Sequence, residues 1–406
     1  MHGALHGLTV VDMSRVLAGP WAGQLLADYG ADVIKIERPA VGDDTRHWGP
    51  PWLRDSEGND TGEAAYFQSA NRNKRSVTVN LAHPLGQEII RELVEKSDIL
   101  LENYRVGSLE RYGLDAETLC AMNPRLIYCS ISAYGQSGAK SGEPGYDAMI
   151  QAAGGLMSIT GERDADGGRP AKVGVAIADI MAGMYATTAV LAALRARQKS
   201  GRGQQIDVPL FDSQVAWLAN QGMNYLVTGE PPGRLGTAHP NIVPYQAFRT
   251  ADGFLMLAVG NDRQFADCCE LLGCAEVSAD ARFETNPARI ENRDQLIDII
   301  AERMETESSD YWLDRFGSRH IPAGPINDLE DVFSDPVVAE RDIVRKLKHA
   351  RAGEVSTVAN PVRFSGTPVE YRLAPPMLGQ HTAQVLKDVL GRSDDEIMNL
   401  HDAGAI

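Results

Sequence analysis

Asp179 sits in AIADIMAGM, a carboxylate in an otherwise apolar run, flanked by Ala178 and Ile180. A carboxylate in the first turn of a helix has two uses. It can cap the helix or offset the positive end of its dipole. Held beside a substrate, it can instead act as nucleophile or base. Pattern alone favours the cap. The stretch Asn71-Arg72-Asn73-Lys74-Arg75-Ser76 gathers cationic and amide donors. Short charge runs are usually solvated turns, and the alternative is capture of a phosphate or carboxylate. Arg38, Arg46, Arg72, Lys74, Arg75, Arg105 and Arg111 all fall after expected strands or at element ends. In a chain of net charge −16, this clustering of positive charge points to an anion site. Gly236-Thr237-Ala238-His239 suits a mobile loop over a site, although a lone loop His is more often a polar residue than a catalyst.

Other chemistries are missing from the sequence. There is no GxSxG elbow, HExxH, Walker A or GxGxxG after a strand. Residues 162–167 begin like a calcium loop, but Val173 stands where the bidentate Glu belongs, so a polar turn is expected. The five cysteines form no CxxC pair and have no His at ligand spacing. They read as buried small hydrophobes in a reducing, cytoplasmic compartment, with no metal. The negative charge argues against nucleic acid or an anionic membrane as partner. The first residues lack a basic region followed by an apolar one, and no membrane-spanning run of about 18 apolar residues is expected.

The elements that must position these groups alternate. Strands are expected at 8–12, 32–37, 76–81, 98–102, 126–132 and 205–210, with helices at 20–29, 84–96, 115–122, 176–198 and 211–226. Such alternation specifies βαβ units and a mostly parallel sheet, with ligands at the carboxyl ends of the strands. At 406 residues the chain divides into two domains. Residues 228–244 are rich in Gly and Pro, and a hairpin at 245–249 and 254–259 follows. The expected partition is a large domain of residues 1–205 and 330–406, a linker helix at 206–227 and a small α+β domain at 228–329.

Taken in order, several segments carry a resemblance. They include LTVVDMSRVLAGPWAGQLLADYGADVIKIERPAVGDDTR, NRNKRSVTVNL, DILLENYRVGSLERYGL, GYDAMIQAAGGLMSITG, ADIMAGMYATTAVLAAL and IPAGPINDLEDVFSDP. The chain resembles the class III CoA-transferases, the CaiB/BaiF family, almost end to end. The resemblance implies a Rossmann-like large domain, a smaller domain and two interlocked chains in a homodimer. It makes Asp179 the nucleophile, overturning the cap. It also implies coenzyme A or acyl-CoA as co-substrate, with no metal or redox cofactor. Coenzyme A is expected along Arg15-Val16-Leu17-Ala18, Arg38, Val79-Asn80-Leu81, Asn103-Tyr104-Arg105 and Arg111, with Tyr134 near the active site. Where relatives often carry a Lys after the fifth strand, this chain has Ser132, so a phosphate contact is either missing there or supplied by Arg105.

The family also contains α-methylacyl-CoA racemases, which use a His-Asp pair in GHD. Here the segment is Gly145-Tyr146-Asp147, so that reading loses its base. DDTRHWGPPW, GTAHPNIVPYQAF and GNDRQF look like transferases of the succinate/glutarate type. A dicarboxylate needs a cation for its second carboxylate, and Arg46 or Arg72 is the expected donor, with Gly236 and His239 near the substrate. Backbone N–H groups at the start of the Asp179 helix are expected to face the oxyanion. A non-enzymatic acyl-CoA binder is the alternative of a different class.

Overall fold

A computed structural model describes residues 2–406. The backbone divides into two compact units. The first holds the described residues up to Gly155, with Val173–Leu218 and Val337–Ile406; the second holds Leu156–Lys172 and Ala219–Pro336.

In the first unit six strands form one sheet: β1 (Thr9–Asp12), β2 (Asp32–Glu37), β3 (Lys74–Thr78), β4 (Ile99–Glu102), β5 (Ile127–Ser132) and β6 (Gln204–Pro209). Their order is β3-β2-β1-β4-β5-β6, with every neighbouring pair parallel. The chain therefore reverses direction across the sheet between β1 and β4, the point at which such folds open a ligand crevice. β3 starts two residues before the expected strand. Its first residues are charged, but Lys74 pairs with Asp12 and Arg75 with Asp32, so the polar run can enter the sheet.

Strand alternation sends Val10, Val33, Leu101 and Ile127 to one face, under the helices Ala18–Asp28 and Ile177–Ser200. Val11, Ile34, Leu100 and Tyr128 face the other side, under Pro84–Glu95, Ala116–Met122 and Thr382–Asp388. The last of these lies on β3, where Thr382 Oγ1 accepts the Thr78 N–H at 3.0 Å. A further helix, not expected from the sequence, is Asp394–Asp402, which begins at a capping box of Ser393 and Glu396. By length and composition the 24-residue Ile177–Ser200 helix could cross a membrane, contrary to the expectation that no run is apolar enough. Its Ala182, Ala186, Val190 and Ala193 instead pack in the core of this unit.

The second unit has a three-stranded antiparallel sheet, Tyr245–Arg249, Phe254–Ala258 and Ala323–Pro325, covered by Asp262–Leu271, Arg293–Met304 and Ser309–Ser318. It also recruits Leu156–Lys172, expected within the large domain; Gly161 bridges Pro170, and Asp164 pairs with Arg234. The helix expected at 211–226 is two, Leu210–Ala216 and Ala219–Thr228. The break comes at Ala219, whose φ of +46° no helix interior adopts.

Candidate active site

Asp179 lies in the first turn of the Ile177–Ser200 helix, but it is not the cap: Ala176 precedes the helix and offers no side-chain bond. The capping is done from elsewhere. Asp147, at the start of the Asp147–Ala153 helix, accepts the Ala178 N–H at 2.8 Å and the Gln151 amide at 2.7 Å. The Asp179 carboxylate is half-buried and has no hydrogen bond or ion pair among the described residues. Burial, and secondarily the charge of Asp147, push its pKa up to about 7. A carboxylate relieved of capping and kept without cations is an unquenched nucleophile once ionised.

Gly183, one turn along the same helix face, fixes what faces Asp179. A Cβ on Gly183 would lie 2.6 Å from the Ala18 carbonyl and 3.2 Å from Trp21, so only Gly lets this helix approach the start of Ala18–Asp28. The loop before that helix leaves β1 at the sheet's switch point. There the Asn103 side chain, just past β4, takes the Arg15 N–H at 2.8 Å and gives an N–H to the Arg15 carbonyl at 2.7 Å. The next residue, Val16, has φ of +69°. For a β-branched residue this costs about 1–3 kcal/mol. The Ala18 and Gly19 N–H groups that follow have no acceptor among the described residues.

Tyr66 and Trp48 complete this neighbourhood; Trp48 lies in the quoted DDTRHWGPPW segment, but neither was named as a site residue from the sequence. Their rings meet edge-on at 5.1 Å. Burial, then the charges of Asp179, Asp147 and Asp43, raise the Tyr66 pKa, which places its hydroxyl in their field.

The arginines sort into two kinds. Arg46 and Arg72, expected to take a substrate carboxylate, are buried and committed. Arg46 donates to both oxygens of Glu37 at 2.8 Å, to Glu63 at 3.2 Å and to the Pro376 carbonyl at 3.0 Å, with its guanidinium over Phe67. Arg72 is paired with Asp28 at 2.5 Å and donates to the Val358 carbonyl at 2.9 Å. Each has four of its five N–H groups engaged and its charge offset by a buried carboxylate, which weighs against a substrate role; the run 71–76 reads as charged because its partners are distant in sequence. Arg38, Arg105 and Arg111 are exposed and form no ion pair among the described residues. Arg38 and Arg105 follow β2 and β4, and Arg105 lines a cavity of about 420 Å³ with Glu102, Tyr104, Tyr128 and Ser130. Burial pushes the Glu102 carboxyl up to about 7.

Other expected contacts are occupied. The Val79 and Asn80 N–H groups are taken by the Glu37 and Ala405 carbonyls at 2.8 Å, leaving Leu81 at the end of that segment. The Ser132 hydroxyl accepts the Gly135 N–H at 2.9 Å, closing a turn that carries Tyr134. Tyr134 packs on Phe211 with Lys140 above its ring. Three N–H groups of the Asp179 helix start are also engaged: Ile177 to Val175, Ala178 to Asp147 and Ile180 to Ala176. The oxyanion donors expected there are therefore mostly spent: the Asp179 N–H is without an acceptor among the described residues, as are those of Ala18 and Gly19. Gly236 and His239 belong to the second unit, where the His239 ring stacks on Tyr245 and Nδ1 accepts the Asn241 N–H at 3.0 Å. Among the described residues no cluster of His, Cys, Asp or Glu is arranged to hold a metal.

Comparison with known proteins fits this geometry. The family model described as CoA-transferase family III matches residues 5–382. The succinate–glutarate CoA-transferase of Agrobacterium fabrum is 47% identical over 385 residues, 95% of each chain. The succinyl-CoA:glutarate CoA-transferase of Homo sapiens is 43% identical over 402 residues, 99% of this chain and 90% of the other. A crystal structure of a CaiB/BaiF family protein from Brucella suis superposes with a TM-score of 0.83 at 45% identity, covering 96% of this chain and all of the other. The free carboxylate, the pinned switch-point loop and the unpaired arginines are thus set in a chain that belongs to CoA-transferase family III.

Proposed function

We propose that this enzyme moves CoA from succinyl-CoA to glutarate or a closely related dicarboxylate, with Asp179 as the covalent carrier. The observation that carries the reading is the Asp179 carboxylate, half-buried, unpartnered, and on the helix face that meets the Ala18 loop. The substrates follow from the relatives, whose names pair succinate or succinyl-CoA with glutarate.

In the proposed sequence an Asp179 oxygen attacks the thioester carbonyl, and the C–S bond breaks to give a mixed anhydride and CoA thiolate. The thiolate attacks the Asp179 carbonyl carbon, giving an aspartyl-CoA thioester and free succinate. The acceptor carboxylate repeats both steps in reverse and leaves with CoA. Two exchanges of good leaving groups replace one poor displacement. The Ala18 and Gly19 N–H groups suit the tetrahedral oxyanion. Arg38, Arg105 and Arg111 suit the phosphates of CoA, because none is neutralised by a protein carboxylate.

The fold also supports association of two chains. Met184, Tyr185 and Leu191 lie exposed on one face of the Ile177–Ser200 helix, and Tyr225, Leu226 and Val227 are exposed in the second unit. Apolar surface of this kind marks a partner face, and a second copy fits the interlocked arrangement that the family resemblance implies. Five unpaired thiols suit a reducing, cytoplasmic compartment.

The test is formation of glutaryl-CoA from succinyl-CoA and glutarate, with intact-mass detection of the CoA adduct on the chain. Transfer without any adduct, or an adduct that persists in Asp179→Ala, would remove Asp179 from the chemistry. Deuterium wash-in at the 2-carbon of a 2-methylacyl-CoA, with no acceptor acid, would favour racemisation instead.

A further inference from the structure

The loop Ser14-Arg15-Val16 is held by every backbone polar group it has before Val16 turns, and two buried charges do much of the holding. Asp43 and Lys35 are shielded from solvent and paired at 2.9 Å. Lys35 Nζ also donates to the Ser14 carbonyl at 3.0 Å. The Asp43 carboxylate accepts the Val16 N–H at 3.2 and 3.3 Å from its two oxygens, and the Thr45 N–H and hydroxyl at 3.0 and 2.8 Å. The Ser14 N–H goes to Asp12 at 3.0 Å, and Asp12 is in turn paired with buried Lys74. Asn103 accounts for both polar groups of Arg15.

A left-handed Val does not persist unless its surroundings impose it. The strained torsion falls two residues before Ala18, where the open N–H groups begin. Were Val16 to relax to negative φ, its N–H would swing away from Asp43 and the following peptides would turn with it. Past Val16 the loop has one backbone tie into the helix, the Trp21 N–H to the Leu17 carbonyl at 2.7 Å, and Leu17, at the N-cap, adds no side-chain bond.

We propose that Asp43, steadied by Lys35, is a positioning residue for the transfer reaction: it locks Val16 in its left-handed conformation and so aims the Ala18 and Gly19 N–H groups. Asp43 touches no substrate and acts only through the loop. The inference rests on the reading above, that acyl-CoA is bound and reacts at this loop.

The experiment compares wild type, Asp43→Asn, Val16→Gly and the double variant, each checked for folding by circular dichroism and thermal melting. Free CoA binding is measured by calorimetry, and kcat and KM with succinyl-CoA and glutarate. Asn keeps the shape of Asp43 but loses the charge that engages Lys35, so kcat should fall on the order of tenfold, the rate equivalent of a modest loss of strain support. KM for glutarate should stay within about twofold. Gly adopts the left-handed region without penalty, so in the Val16→Gly background Asp43→Asn should cost little further kcat, and the double variant should run faster than Asp43→Asn alone.

A merely structural Asp43 would lower the melting temperature but give no such rescue. The proposal is overturned if the double variant is as slow as Asp43→Asn, or if folded Asp43→Asn keeps wild-type kcat. Failure of wild type to bind CoA would instead sink the functional reading beneath it, so the two outcomes are separable.

Discussion

Replacing Asp179 with Asn should make the protein more stable while abolishing its chemistry, and the stabilisation should depend on pH. The Asp179 pKa is raised from 3.8 to about 7 in the folded chain. A tenfold change in acidity is equivalent to about 1.4 kcal/mol, so a rise of this size sets an upper bound of about 4 kcal/mol. The carboxylate is half-buried, and solvent screening brings the expected figure to about 1–2 kcal/mol. The folded chain keeps the proton up to about 7, whereas the unfolded chain releases it near 3.8. Between those values the native state binds more protons, so this group's contribution to stability falls as pH rises through the window and is level above it. Asn escapes that loss. Melting curves of the two proteins should coincide near pH 4, separate through the window, and differ by roughly 1–2 °C at pH 8. An Asn variant that melts at or below wild type at pH 8, or a gap that does not vary with pH, would refute the reasoning. Succinyl-CoA consumption by the variant should be undetectable, because an amide does not form the anhydride.

Asp147→Asn keeps an acceptor for the Ala178 N–H but removes the charge that helps raise Asp179. The rising limb of the kcat/KM–pH profile should move to lower pH, by less than about one pH unit, and an unmoved limb would mean that burial alone tunes the nucleophile. The two kinds of arginine make opposite predictions. Arg72→Ala strands Asp28 and should cost about 3–5 kcal/mol, with KM for glutarate unchanged in the folded protein. Arg105→Ala should leave melting nearly untouched and raise KM for succinyl-CoA about tenfold, in line with loss of a charge-assisted bond. Reversal of either pattern would return Arg72 to the substrate or remove Arg105 from it.

The sheet was legible because its central strands are buried on both faces and read as short apolar runs between helical periods. β3 was the exception, since Lys74 and Arg75 look like a turn until Asp12 and Asp32 are seen beside them. The same long-range pairing hid the real standing of Arg46 and Arg72: a sequence displays charge but not its neutralisation. Asp179 stood out only through the ordered family segments, as an apolar helix bearing one Asp is compatible with a cap. The cap itself, Asp147, is 32 positions earlier in the chain, and no local pattern connects the two. Tyr66 and Trp48 flank a short hairpin, Trp52–Arg54 and Asp60–Ala64, whose residues carry no strong strand alternation. The short turn between Leu210–Ala216 and Ala219–Thr228 was invisible because apolar residues continue through it.

The Asn103 amide has a consequence for what this architecture can be turned into. A sheet of this order ordinarily admits a pyrophosphate into the gap between its first and fourth strands, over a glycine-rich turn. Here the gap is stitched shut by one side chain gripping both polar groups of Arg15. In the proposed reaction a ligand arriving at this edge would run across the stitch, along the rim, with its reactive end delivered to the Asp179 helix. Grafting a dinucleotide-binding turn onto this scaffold would therefore fail while Asn103 remains, and removing it would free the loop that the proposed acyl transfer uses. The two ways of using one topology exclude each other at a single amide.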